Sequence, residues 1–388
     1  MARIVVASYV ACYPVGGFLS WTLNWVLGFR RLGHDVWLVE KSGSWRNGCY
    51  DVRSGTMGDD CTYGFSAVED LMARHGLRNR FCFVNWEGKY FGLTRERTRG
   101  LFESADLFVD LSGAVVHPVD ETWRREAADV KLCVCVDGEP GYTQMKMEML
   151  AGQGLPLSEY DRYYTVGGNL GTARCAAPTA GKQWRPTFDP VVPELFPLLP
   201  PPSDAPYTTV MAWQSHKPIV FGGHTYGQKD VEFAKFEHLP RLTSAPLEIA
   251  VAGTNVPREQ LRELGWHVRD SHAVTATYDG FVDYIRASRG EFTVCKNVFV
   301  ATNTGWFSDR SAAYLASGRP VVMQETGFSN HLPCGRGLFA VRTAEEARAA
   351  IEVIEGDFLR HSRAAREIAV EYLSAPRVVG RMLGELGL

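Results

Sequence analysis

RIVVASYVACYPVGGFLSWTLNWVLGFRRLGHDVWLVE, residues 3–40, contains one complete structural period. Arg3 to Ser8 is a compact apolar run with the character of a buried strand, and Asp35 to Glu40 is a second. Between them Phe18, Trp21, Trp25, Phe29 and Leu32 recur at helical spacing. This predicts a helix entered through the loop Tyr9 to Gly17 and stopped at Gly33. Strand, helix and strand in this order make a βαβ unit, so the two strands lie parallel and the crossover is right-handed.

The alternation continues outward. Asp106 to Leu111, Lys131 to Val136 and Arg162 to Val166 read as further strands. They are near-continuous apolar runs, as expected when helices cover both faces of a sheet. Eight of the twenty prolines fall between Pro186 and Pro206, a density that neither a long helix nor a central strand tolerates. A domain linker is placed there. Beyond it Ile219 to Phe221, Leu247 to Val251, Pro320 to Gln324 and Leu338 to Val341 read as strands. Ser308 to Ala316 reads as a helix, and Val294 to Ala301 as strand or helix. Thr343 with Glu346 forms a capping-box pattern that opens another helix, and the remainder is mostly helical with an interruption near Pro376. The expectation is an α/β chain. Residues 1–200 form one Rossmann-like domain, 207–365 a second, and 366–388 a helix that packs back on the first. Ligands of open α/β sheets bind beyond the carboxyl ends of the strands, here in a central cleft.

Composition narrows the function classes. A net charge of -3 gives no basic footprint for nucleic acid or an anionic membrane. No segment holds about 18 uninterrupted apolar residues, so no membrane span is expected. The nine cysteines are scattered without a CxxC pair, which points to a reduced, cytoplasmic protein. No HExxH, no DxD in a suitable loop and no Cys–His cluster is present, so no metal is expected. Gly16-Gly17 does not complete a GxGxxG fingerprint, which argues against a dinucleotide cofactor.

Three stretches resemble the GT-B glycosyltransferases. Gly16-Gly17, a helix and then Gly28-Phe29-Arg30-Arg31-Leu32-Gly33-His34-Asp35-Val36 is similar to the opening of many such enzymes. Gly305 to Ser311, leading to Ala316-Ser317-Gly318-Arg319-Pro320-Val321-Val322, resembles their donor-site helix and the strand after it. Glu325-Thr326-Gly327-Phe328, then Gly335 to Leu338 and Thr343 to Ala347, looks like the close of the donor domain. Ser288 to Phe292 with Ser308-Asp309-Arg310 is similar to a bacterial group of GT-B-like proteins whose substrates are mostly unassigned. The GT4-like retaining enzymes often carry two glutamates eight positions apart; here those positions are Gly305 and Ala313, which leaves retention and inversion open.

The resemblance implies transfer of a sugar from a nucleotide-sugar donor, a co-substrate rather than a cofactor, to a small-molecule acceptor. A nucleotide-sugar epimerase and a non-catalytic binding protein are the alternatives, and a homodimer is left open. A leaving nucleoside diphosphate needs fixed cations and dipoles. Ser308, Asp309 and Arg310 begin a helix, where free N–H groups favour an anion, and Arg310 is suited to fork onto a phosphate. The resemblance assigns Lys229 to the diphosphate, with Gly222-Gly223 permitting close backbone approach. Lys296 sits in an apolar stretch and needs an anionic partner, such as a phosphate, if buried. Gly16 and Gly17 offer backbone amides to the sugar or phosphate, and Glu325, Thr326 and Gly327 lie where sugar or ribose hydroxyls would bind. Asp137, Glu139 and His117 are the acid–base candidates on the acceptor side. Each of the carboxylates also fits simple turn chemistry, since Asp137-Gly138 is a turn dipeptide. Trp21 and Trp25 read as core, Trp306 and Phe307 as surfaces on which a sugar could stack.

Overall fold

Two parallel sheets follow from the two series of apolar runs. The computed structural model describes residues 1–388 apart from Trp45, Ser203 and His216. The first sheet has eight strands. Their spatial order is Trp184–Pro186, Arg162–Thr165, Cys133–Asp137, Leu107–Asp110, Arg3–Ala7, Asp35–Lys41, Phe81–Val84 and Tyr90–Phe91. All pairs are parallel except the last, which is antiparallel. The second sheet has six parallel strands, ordered His267–Asp270, Leu247–Ala252, Tyr207–Ala212, Gly290–Thr293, Val321–Gln324 and Leu338–Val341.

In each sheet the first strand in sequence lies in the interior with neighbours on both sides. Ile4 pairs with Val36 on one side and Leu107 on the other. Tyr207 pairs with Leu247 and Gly290. The chain therefore reverses its direction of winding beyond Ala7 and beyond Ala212, and a crevice opens at each such point. Tyr9 follows the first reversal and Lys229 lies in the chain that follows the second.

The stretch 294–301 resolves into the helix Asn297–Ala301 that follows the strand Gly290–Thr293. Ile219–Phe221 is not part of the main sheet. It pairs with His224–Tyr226 in an antiparallel hairpin. Gly222 and Gly223, at φ 57 and 80, make the tight turn of that hairpin, so their left-handed backbone serves chain reversal rather than a phosphate. The chain between Pro186 and Tyr207 joins the two sheets.

The final helix, Ala375–Leu386, packs against the first, Gly16–Arg31. A Cβ at Gly28 would stand 2.9 Å from Val379 Cγ2 and 3.1 Å from Ala375 Cβ, so only glycine lets the two helices approach this closely. Tyr164 donates to Glu385 at 3.2 Å from the same side. One apolar core runs from Ile4 and Trp25 through Phe281, Phe299 and Phe307 to Val379, joining both sheets to these helices. Among the described residues no helix is long and apolar enough to cross a membrane.

Candidate functional site

The donor-side wall is built on the strand Gly290–Thr293 and the helix Asp309–Ala316. Ser308 occupies the cap position with extended backbone and its own side chain does not cap the helix start, while the Asp309 carboxyl accepts from Arg310 N. The helix dipole favours an anion at that end. Arg310 turns away from that end. Its Nε donates to Glu291 Oε1 at 2.6 Å and its Nη2 to Thr293 Oγ1 at 2.8 Å. Glu291 is fully buried, and its Oε2 has no partner. Arg310 is thus first the counter-ion of a buried carboxylate, which corrects the expectation of a fork aimed at phosphate.

Lys229 lies in the same wall and is 7% exposed. Among the described residues it makes no ion pair, and no hydrogen bond reaches its Nζ. Burial, then the charges of Arg310 and Lys296, lower its pKa from the ordinary lysine value to about 7. A buried ammonium without an anion is costly. Lys296, also 7% exposed, has found one: its Nζ contacts Glu139 Oε1 at 2.5 Å and Oε2 at 2.7 Å. Glu139 follows a strand of the first sheet, so this ion pair bridges the two halves of the chain. Glu139, expected as a base, is occupied by a cation.

The opposite wall is aromatic with one carboxylate. Tyr9 packs edge-on against Phe18, ring centroids 5.0 Å apart, and tilted against Trp21 at 5.6 Å. Trp21 Nε1 donates to Asp189 Oδ1 at 2.7 Å, and Trp25 Nε1 donates to the same oxygen at 3.1 Å. Burial, then the charge of Asp309 at the start of the donor-side helix, raise the Asp189 pKa above the usual carboxylate range. Burial raises Asp309 as well. These two carboxyl groups, one from each half, are near enough to interact electrostatically. Asp189 has no motif signature. What betrays it is an isolated acid in Phe188-Asp189-Pro190 and two tryptophans one helical turn apart whose N–H groups need an acceptor.

The two glycines of the first helix differ. A Cβ on Gly16 would collide with Phe281 Cβ and the Thr277 carbonyl oxygen, whereas one on Gly17 would meet nothing within 4 Å. Gly16 is a packing contact between the halves and not a ligand contact; Gly17 keeps open surroundings. Gly16→Ala is expected to lower stability by about 1–3 kcal/mol through overpacking. Gly17→Ala is expected to be neutral or slightly stabilising, since alanine suits a helix better. Thermal unfolding of the two variants checks the contrast.

Several other expected site residues have structural work. Asp137 accepts from Glu139 N at 2.9 Å through Oδ1, and from Gln144 Nε2 at 2.9 Å and Thr165 Oγ1 at 3.0 Å through Oδ2. Both its oxygens are spent on a turn and a neighbouring strand, so it is not free to act as a base. His117 is half-buried between two short 3-10 turns, and the charges acting on it are Lys146, Glu121 and Asp110, none of them from the cationic wall. Thr326 is fully buried and donates to the Trp306 carbonyl at 2.6 Å. Glu325 accepts from Gly327 N, and Arg342 lies 3.8 Å from its other oxygen. Gly327, at φ 97, has Asn169 and Asn303 pressed against it. These three residues form a turn that braces the contact between halves rather than a hydroxyl-binding surface. Phe307 is buried against Phe188 and Phe328, and Trp306 stacks on Phe299 at 4.7 Å, so neither ring is free as a sugar platform.

The halves are tied together beside this turn. Asn169 N donates to Thr304 O at 2.9 Å, Asn169 Nδ2 to Asn303 O at 3.1 Å, and His331 Nε2 lies 2.9 Å from Asn169 Oδ1. On the far side Arg74 pairs with Asp279 at 2.7 Å. These contacts tie the two halves together. Among the described residues no group of three or more His, Cys, Asp or Glu side chains is arranged to hold a metal ion.

No family model and no curated protein sequence matches this chain. Solved structures do. HepE from Anabaena, in complex with UDP-glucose, superposes with a TM-score of 0.58 at 11% identity over 100% of both chains. An α-glucosyltransferase in complex with UDP and a 13-mer DNA gives 0.58 at 11% identity, again over 100% of both. AviGT4, a glycosyltransferase involved in avilamycin A biosynthesis, gives 0.53 at 14% identity over 99% of this chain and 97% of its own. Two parallel α/β sheets, each with its first strand in the interior, and full-length superposition on these structures together show that the chain has the GT-B glycosyltransferase fold.

Proposed function

We propose that the protein is a glycosyltransferase that takes a sugar from a nucleotide-sugar donor, holding the diphosphate between Lys229, Lys296 and the start of the Asp309–Ala316 helix. The observation that carries this reading is Lys229, a buried lysine whose Nζ has no anionic partner among the described residues. A diphosphate supplies the missing charge. Lys296 would exchange Glu139 for phosphate on donor entry, so binding would also loosen one bridge between the halves. Two of the similar structures hold UDP or UDP-glucose, which makes uridine the first base to try.

The acceptor is a hydroxyl-bearing molecule, and we favour a small one because the Asn169 and Arg74 contacts tie the halves together. Net charge argues in the same direction, although the α-glucosyltransferase bound to DNA shows that the fold itself is no argument against a nucleic-acid acceptor. Nine free cysteines fit a protein that works in a reducing compartment, and we place it in the cytoplasm. The interacting carboxyl groups of Asp189 and Asp309 favour one second reading, an epimerase acting on the nucleotide-sugar itself. Incubation with UDP-glucose alone separates the two. A transferase releases UDP, whereas an epimerase returns an intact nucleotide-sugar.

A thermal-shift screen with UDP, dTDP, GDP and ADP tests the proposal. One of them is expected to raise the melting temperature, since a ligand that binds only the folded form stabilises it by about 2.7 kcal/mol at a hundred times its Kd. Indifference to all four would remove the diphosphate site.

A further inference from the structure

Asp189 differs from every other acidic group in the cleft. Asp137 has both oxygens engaged, Glu139 is bound to Lys296, and Glu291 is bound to Arg310. Asp309 stands on the donor-side helix beside Arg310, where the leaving group's charge would develop. Asp189 belongs to the other wall. Its Oδ1 is anchored by two indole N–H groups, and its Oδ2 carries no hydrogen bond among the described residues. Trp21 and Trp25 stand one helical turn apart on the first helix, so the carboxyl plane is held at two points.

We propose that Asp189 is the base that takes the proton from the acceptor hydroxyl, with Trp21 and Trp25 as positioning residues; this rests on the glycosyltransferase reading above. The acceptor oxygen forms its bond to the anomeric carbon of the sugar. The bond from that carbon to the β-phosphate oxygen breaks, and its electron pair leaves on the nucleoside diphosphate. The acceptor proton passes to Asp189 Oδ2 and is later released to water.

The surroundings suit the task. Burial and the Asp309 charge hold Asp189 less acidic than an ordinary aspartate, while the indole hydrogen bonds oppose that shift. A base brought nearer to neutrality is a better proton acceptor at physiological pH. The charged and titratable groups that face it are Asp309, with Arg310 next to it, from the donor-side helix, Asp137 from the end of its strand and Tyr9 from the loop after the first strand.

The experiment follows UDP release from UDP-glucose, with water as acceptor, across pH, and UDP binding by calorimetry. Wild type is expected to gain activity with rising pH along a limb above the ordinary carboxylate range. Asp189→Asn is expected to bind UDP as wild type does, to lose roughly 10²- to 10⁴-fold in turnover and to lose that limb. Trp21→Phe removes one hydrogen bond to the ionised carboxylate, so its limb moves to higher pH, a change that a packing role would not produce. Should Asp189→Asn fail to fold, the Trp21→Phe profile decides. Wild-type turnover and profile in Asp189→Asn, or an unmoved limb in Trp21→Phe, overturn the assignment while UDP binding still stands. Absence of binding by wild type to UDP, dTDP, GDP and ADP alike removes the diphosphate reading and this one with it.

Discussion

Lys229→Met is expected to weaken UDP binding by roughly 10- to 150-fold, the equivalent of about 1.5–3 kcal/mol for a hydrogen bond to a charged group. Methionine fills nearly the same volume and carries no charge to bury. The variant also has a proton signature. With its pKa lowered to about 7, Lys229 is largely neutral at pH 8 in the empty cleft, and a diphosphate draws the proton back. Calorimetry of wild type at pH 8, in buffers of different ionisation enthalpy, is expected to show uptake approaching one proton per UDP bound. The variant is expected to show none from this group. Stability follows from the same shift. Between pH 7 and the ordinary lysine range the unfolded chain holds a proton that the folded chain lacks. The group's contribution therefore makes the wild type more stable as pH rises, by at most about 1.4 kcal/mol per unit. Lys229→Met removes that slope. Equal proton uptake in the two proteins would show that Lys229 does not meet the ligand.

Arg310→Leu is expected to cost about 3–5 kcal/mol of folding stability, because it strands a fully buried Glu291 without its cation. Adding Glu291→Gln is expected to restore most of the loss, since the double variant has no uncompensated charge at that point. Urea unfolding of the wild type, the single variant and the double variant measures the coupling. If Arg310→Leu alone is as stable as wild type, the pair does not hold the wall together. The consequence for assays is direct. Lost turnover in an Arg310 variant reports a damaged wall before it reports a missing phosphate contact, whereas Lys229 has no structural partner to lose.

The first βαβ unit was legible because its apolar runs are continuous and its helix carries a clear apolar face. The proline-rich joint between the sheets was legible because proline excludes both regular structures. Tyr207–Ala212 escaped because two of its six residues are threonines. Thr208 is buried with its hydroxyl bonded to Ser288 and Tyr314, and Thr209 with its hydroxyl bonded to Thr293, so polar residues stand where an apolar run was sought. Gly290–Thr293 escaped for a related reason: it carries Glu291 inward, and only the partner at Arg310 makes that tolerable. His267–Asp270 is a polar edge strand with little apolar signal.

At the candidate site, Lys229, Lys296 and the helix start at Ser308 are singled out by residue type and place, and the structure buries both lysines and starts the helix at Asp309. Asp137 and Glu139 were readable only as acids at the end of a strand. Whether an acid there closes a turn or meets a ligand depends on Gln144, Thr165 and Lys296, partners contributed by distant parts of the chain. Asp189 lay in the stretch that looked like a mere connection, and its two tryptophans lie more than 160 residues earlier.

The closing of Ala375–Leu386 onto Gly28 has a consequence for synthesis. The N-terminal sheet is made early by the ribosome, yet the Gly28 side of its first helix lacks its partner until the twelve-residue helix Ala375–Leu386 has emerged. Until then that stripe is exposed to chaperones and to neighbouring nascent chains. A fragment ending at the proline-rich joint would keep it exposed permanently. Supplying residues 375–386 as a separate peptide is the natural way to rescue such a fragment.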